Sequence, residues 1–333
     1  MGKFIKNYQT ESRLIVVLVL MCLFLSLSTD TFLTLNNFSN LMNNNAINLI
    51  WAFGLLVVLI AGGIDISFAV AASVVQYIAV YVFEAIGGGN WAIGFVVAIF
   101  LGTMLGFINA YLIHYFRIIT IVVTISTYNA FFGLLMFFTN GRFLYNLPDW
   151  WVSRIIILER EMADGSWAEL TLPVAIMFVV MLATYLLINK TSTGRQLYAF
   201  GDNPEGASRS GINIALMQFI AFGWMGAMAG VAGFMQVNIV QEVVPMALLG
   251  RELEVLAAVV LGGARLGGGR GSVLGCFLGV FIVAVTQNGL NLMGVTPYAF
   301  KMVVGAIILI AISTSNINFD LKTLLRFREK KHE

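Results

Sequence analysis

The sequence predicts an all-α protein of the membrane, with about ten transmembrane helices, some of them broken or re-entrant. Of its 333 residues, 59% are hydrophobic and 11% are charged, and its mean hydropathy is +0.89. A soluble domain is typically about a quarter charged. Apolar runs of about 20 residues recur along nearly the whole length, each long enough to cross a hydrocarbon core as a helix. The charged residues gather between those runs.

The first run, about 14–33, follows Lys3, Lys6 and Arg13. No small-residue cleavage site comes after it, which predicts a retained helix rather than a signal peptide. Full-length runs then follow at about 43–61, 66–86, 91–113, 118–139, 170–189, 212–236, 272–292 and 297–315. The segment 253–263 is different: about ten strongly apolar residues separate Glu254 from Gly263, roughly half of a crossing. A short or re-entrant helix followed by a glycine-rich turn is expected there. All of this makes one transmembrane domain, 1–333, with both termini on one side. Placing the basic N-terminus inside puts 14 of the 19 Lys and Arg residues on the inner side, as the positive-inside rule asks.

Two long polar segments are left outside the bundle. The segment 140–169 falls on the outer face, with Trp150, Trp151 and Trp167 expected as interfacial anchors and Glu159, Glu161, Asp164 and Glu169 as an acidic surface for an external protein. The inner segment, about 190–211, carries Lys190, Arg195 and Arg209. Its Gly201-Asp202-Asn203-Pro204 is turn chemistry. Pro204 suits the first turn of a helix, which predicts a short helix over Glu205 to Arg209, capped by Asp202 or Asn203 and ended by Gly211. A soluble partner could take hold of this loop, although a solvated connector would look similar.

Asp65 lies between two apolar runs, where a carboxylate is functional by default; the alternative is that Asp65 or Ser67 caps the next helix at the cytoplasmic surface. The amides Asn109, Asn129, Gln287, Asn288 and Asn291, with the aromatic faces of Tyr128 and Phe131, are candidates to line a polar path for a neutral, hydroxyl-rich solute. Each could equally bond helix to helix. Glycine pairs at Gly62-Gly63 and Gly262-Gly263 mark broken helices in the two halves, a pointer to a transport pathway. An LG-containing pattern also recurs, at Leu101–Gly106 and Leu274–Gly279. The sequence GGARLGGGRGS lacks GxxxxGK[ST] spacing, so no ATP site is expected. Two cysteines and two histidines are too few and too scattered for a metal cluster. The sequence offers neither a catalytic set nor a basic–aromatic stripe for nucleic acid.

The run RELEVLAAVVLGGARLGGGRGSVLGCFLGVFIVAVTQNGLNLMGV, Arg251 to Val295, resembles the C-terminal half of the permeases of bacterial ABC importers for ribose, xylose, related sugars and autoinducer-2. GGIDIS at Gly62, LGxxxGxxNAxL from Leu101 to Leu112, and TGRQLYAFGDNPEGASRSGI from Thr193 to Ile212 match in the same order, so the resemblance covers most of the chain. It implies a subunit of the bacterial inner membrane with both termini cytoplasmic, no catalytic residues and no cofactor of its own. ATP and magnesium would sit on a partner ATPase. A second permease copy or paralogue and a periplasmic sugar-binding protein complete the implied set, with the bilayer as solvent. The coupling element would be the 195–211 loop: Arg195, Asn203, Pro204, and Glu205-Gly206-Ala207 with Gly211 standing where the family has Glu-Ala-Ala and its glycine.

This sequence departs from the family at Gly206, where alanine is usual, and that should weaken a short helix by up to about 1 kcal/mol. Arg117-Ile118-Ile119 lacks the proline common before the fifth span, and Ala69 stands where glycine is usual. Other classes remain open at this point. They are an ion-coupled secondary transporter or facilitator using Asp65, a branched-chain amino acid permease, and a membrane enzyme.

Overall fold

The computed structural model describes residues 9–309 apart from 163, 164, 166, 297, 301, 304, 307 and 308. Eight helices among these are long and apolar enough to cross a membrane. They are α1 (Gln9–Ser28), α2 (Leu35–Ile60), α3 (Phe68–Ala85), α4 (Trp91–Phe116), α5 (Thr120–Thr139), α7 (Leu172–Lys190), α10 (Ile214–Val240) and α12 (Val273–Leu292). Four shorter helices accompany them: α6 (Asp149–Val152), α8 (Ser192–Asp202), α9 (Pro204–Arg209) and α11 (Glu252–Leu261). The ten residues of α11 rise about 15 Å, half of a hydrocarbon core, in agreement with the sequence. The tenth predicted span, 297–315, lies mostly outside the described residues, as do both termini with their Lys and Arg residues.

Two predicted boundaries move. The first span ends at Ser28 rather than near 33. The second starts at Leu35, eight residues early, because Thr34 caps it by accepting the Asn37 amide at 3.2 Å and its asparagine-rich first turns find polar partners. Asn37 exchanges amide bonds with Asn288 of α12 at 2.8 and 3.1 Å. Asn43 accepts from the Thr171 amide and hydroxyl and donates to the Glu169 carbonyl, and the Ser39 hydroxyl bonds both backbone groups of Glu169. A run that is too polar to count as membrane-spanning therefore continues the helix beyond the apolar stretch.

From Leu49 to Ile60, α2 is the axis of the core, almost every side chain fully buried. It packs against α10, which in turn crosses α4 where both helices are bare. A Cβ on Gly102 or Gly106 would strike the Gly226 or Phe222 carbonyl, and one on Gly230 the Ala98 carbonyl. The small residues let backbones approach closely, where dispersion rather than the hydrophobic effect must hold helices together. The second LG pattern does the same work for the other half: Gly275 and Gly279 of α12 press on the Gly262 and Ala258 carbonyls at the end of α11.

At one end of the bundle the segment 140–171 folds back. Its β1 (Ile156–Glu161) and β2 (Trp167–Thr171) form an antiparallel hairpin with one register shift between Ile156 and Leu158. Trp151 corrects the interfacial-anchor expectation. It is fully buried, stacks on Phe234 at 4.9 Å, meets Phe83 edge-on at 5.3 Å, and donates its indole N–H to the Phe234 carbonyl. A tryptophan with its one donor satisfied is a core residue; Trp167 remains exposed.

Candidate functional site

At the opposite end, three chain segments converge: α8–α9, the break after α2 (Ala61–Ser67), and the glycine-rich turn after α11. Gly201 and Asp202 are helical, not a turn. The chain breaks one residue later, at Asn203, whose extended backbone leads into Pro204. The signal for α8 was present in the Leu197 and Phe200 spacing behind Thr191, which caps by accepting the Gly194 amide at 3.0 Å. The short helix expected after it forms as α9. Asn203 Oδ1 accepts the Gly206 amide at 2.9 Å, Pro204 takes the first helical position, and Gly211 at φ +82 ends it. The Ile212 amide returns to the Ala207 carbonyl, closing the left-handed stop. Glu205 and Arg209 pair at 2.6 Å on the exposed face, which supports the helix by a few tenths of a kcal/mol at most. Arg195 is exposed on α8.

The breaks sit directly against α8. The Gly269 amide donates to the Ile60 carbonyl at 2.9 Å, and the Tyr198 hydroxyl donates to the Gly271 carbonyl at 2.7 Å. Gly62 (φ +80), Gly268 (φ +84) and Gly269 (φ +72) hold left-handed backbone that side chains avoid. Gly63 packs under Phe222. Gly262 closes α11 with right-handed backbone and presses on Gly275, and Gly263 (φ +93) faces Thr10. Gly62 therefore meets the Gly267–Gly269 stretch, not the Gly262-Gly263 pair.

Asp65 is buried beside this junction. Its Oδ1 accepts from the Ser67 amide and hydroxyl, both at 2.7 Å, and the Asn109 amide donates to the Ser67 hydroxyl at 2.8 Å. Burial pushes the Asp65 carboxyl up to about 6, against the pull of the Ser67 and Asn109 bonds. Asn109 Oδ1 has no partner among the described residues. The Ile64 amide donates to Thr120 Oγ1 at 3.1 Å and the Thr124 hydroxyl to the Ile64 carbonyl at 3.2 Å, tying the break to α5. Asp65 thus closes a turn onto Ser67, the residue before α3, but neither side chain accepts an amide of the helix, so the expected cap does not form.

The remaining path candidates are dispersed. Asn288 is committed to Asn37, Phe131 is buried, Asn291 is exposed, and Asn129 lies exposed on α5, bonded only to the Ile125 carbonyl at 2.8 Å. Gln287 donates to the Glu254 carboxylate, and Tyr128 lies within Coulombic range of Glu252. Both carboxylates went unremarked as site residues. They stand at the start of the half-length helix, and the sequence spacing from 254 to 287 gives no hint of the contact. Glu252 folds back to accept the Gly250 amide at 3.0 and 3.2 Å.

The family model described as branched-chain amino acid transport system / permease component matches residues 37–312. The chain belongs to this family. Similar relatives agree in length as well as sequence. The ribose import permease protein of Escherichia coli (strain K12) is 30% identical over 328 residues, covering 94% of this chain and 96% of its own. The ribose import permease protein of Bacillus subtilis (strain 168) is 30% identical over 89% of each chain. The autoinducer 2 import system permease protein of Photorhabdus luminescens is 29% identical over 93% of this chain and 90% of its own. No solved structure matches. As a member of this permease family, the chain is a multi-pass helical membrane protein.

Proposed function

We propose that the chain is the permease subunit of an ATP-driven importer for a sugar or sugar-like solute of the ribose and autoinducer 2 class, in the bacterial inner membrane with both termini cytoplasmic. The observation that carries this reading is the α8–α9 pair. It combines a capped, exposed α9 offering Glu205 and Arg209 to a partner with an α8 seated on the breaks of the bundle. Hydrolysis of ATP belongs to a separate ATPase that grips Arg195 and Asn203 to Gly211. Binding of that ATPase must differ between two states of the spans if it is to move them. A second permease, identical or related, completes the pore, and an external solute-binding protein docks on the hairpin end, where Glu159 and Glu161 supply negative charge and Glu169 is paired with Arg154 at 2.7 Å.

Between the two ends, Tyr128 and Gln287, joined by Glu252 and Glu254, supply donors and acceptors suited to hydroxyl groups. Asp65 and Asn109 sit at the ATPase end and brace the break that would gate the path. An ion-coupled transporter is less well supported, because the Asp65 oxygen that bonds is already taken by the amide and hydroxyl of Ser67. A zwitterionic amino acid would need a charged clamp of both signs; among the described residues the charged groups found beside Tyr128 and Gln287 are the acids Glu252 and Glu254. The double variant Glu205→Lys with Gly211→Pro should abolish ATP-dependent uptake of ribose in vesicles reconstituted with the ATPase and binding protein, while membrane insertion is unchanged. Undiminished uptake would refute the coupling role.

A further inference from the structure

We infer that Gly201 is a positioning residue of the transport cycle. It is the point at which the segment held by the ATPase is fastened to both broken regions of the bundle, so that the end of α8, the end of α2 and the 265–271 turn move as one body. The inference rests on the reading of 195–211 as the coupling segment.

Gly201 occupies the end of a helix and its φ is unremarkable, so local backbone does not demand glycine there. Its neighbours do. A Cβ would land on the Ile60 carbonyl oxygen and within 2.7 Å of the Gly269 amide nitrogen, the two atoms that already share a hydrogen bond. From the other sides, a Cβ on Gly62 would meet Gly201 Cα at 3.5 Å, and one on Gly268 would come within 2.7 Å of Gly62 Cα. Three backbones thus touch with no side chain between them, and Tyr198 adds a fourth tie one turn back through Gly271. Close-packed backbone contacts of this kind transmit displacement rather than absorb it.

The joint itself borders open space. A cavity of about 560 Å³, lined by Gly62 and Gly201 as well as by Phe200, Asp202 and Pro204, separates them from His114, Arg117 and Thr120 at the ends of α4 and α5. A joint whose backbones are in direct contact and which faces a void moves as one body toward or away from it. What it carries is the Gly62–Ser67 break, tied to α5 through Thr120 and Thr124, and the turn that leads into α12. Those are the elements that bear Tyr128 and Gln287.

The test uses the complete complex with its ATPase, with Cys22 and Cys276 replaced by alanine and spin labels placed in pairs. One pair, Ala199 with Arg270, spans the joint; the other, Ala199 with Tyr115, spans the cavity; all three positions are exposed on this chain. On trapping with ATP and vanadate, the joint distance should stay within roughly 2 Å, while the cavity distance changes by about 5 Å, the scale of an element shift. In Gly201→Ala that cavity change should fall at least about threefold although Ser208→Cys still cross-links to the ATPase. Gly133→Ala, where an added Cβ meets nothing within 4 Å, should behave as the parent. A joint that opens as far as the cavity does, or a Gly201→Ala protein that moves normally, overturns the inference while leaving the coupling reading intact. Should Gly201→Ala fail to assemble, the parent distances decide alone. Loss of the Ser208→Cys cross-link in the parent background, with neither distance responding to ATP, defeats the coupling reading and this inference with it.

Discussion

The helices α8 and α9 are separated by a single residue, Asn203, yet are held in place by different physics. In α8, Leu197, Phe200 and Gly201 are buried, and the helix is fixed by packing and by backbone contact with two other segments. In α9, Ala207 alone is buried, and the helix stands on local devices: an asparagine cap, a proline at the first position, one ion pair and a left-handed glycine stop. Local devices contribute tenths to about 1 kcal/mol each, whereas a buried side chain contributes several. The pair therefore has a rigid inner half and an adaptable outer half, divided at the Asn203–Pro204 corner. An outer half that fits a partner and an inner half that carries the load is a reasonable division for a coupling device.

That contrast can be broken from either side. The largest effect expected is on uptake: Glu205→Lys with Gly211→Pro should lower ATP-dependent ribose uptake by about a hundredfold or more, with a loss of stability confined to α9 because that helix buries so little. In α8 the order reverses. Leu197→Ala should cost about 2–5 kcal/mol of stability, read by denaturant or thermal unfolding in detergent, before any effect on transport is considered. A loss of stability in the first variant as large as in the second would erase the distinction between the two halves.

Asp65 sharpens the comparison on the inner side, since it braces the break that α8 rests on. A carboxyl raised to about 6 by burial contributes stability that is complete below the ordinary carboxylate range near 4 and is lost as the pH climbs through 6. The protein should lose roughly 2–3 kcal/mol between those limits from this group. Asp65→Asn keeps an oxygen for the Ser67 amide and hydroxyl, so it should flatten that slope, measured as the midpoint of unfolding at pH 4.5 against pH 7. An unchanged slope would remove Asp65 from the account. The smallest effect belongs to α9: Gly206→Ala, whose Cβ would approach only the Asn203 side chain at 3.2 Å, should stabilise the helix by up to about 1 kcal/mol, visible as slower amide exchange at Ala207.

Much of this architecture was legible in the sequence, because a bilayer makes length and hydropathy decisive. The eight long helices follow the apolar runs, and the half-length of α11 could be counted directly between Glu254 and Gly263. The helix α9 was equally readable, since capping residues act over four or five positions. What escaped was decided at long range. The asparagines that begin α2 are helical because Asn288 and the β2 strand satisfy them, and neither partner is near in sequence. Gly201 looked like part of a turn because Gly-Asp-Asn-Pro is turn chemistry. That it is the last turn of a helix, kept bare by the Ile60 carbonyl, is a fact about a segment 140 residues away. The meeting of Glu254 with Gln287 and the burial of Trp151 were hidden for the same reason.

The most direct measurement is cross-linking from a cysteine at position 208, on the exposed face of α9, in membrane vesicles of known sidedness that contain the assembled transporter. The account predicts an adduct with the ATP-hydrolysing subunit and protection from a membrane-impermeant thiol reagent applied from the outside. Modification of that cysteine from the outer medium, or an assembled complex in which it meets no second polypeptide, would contradict it.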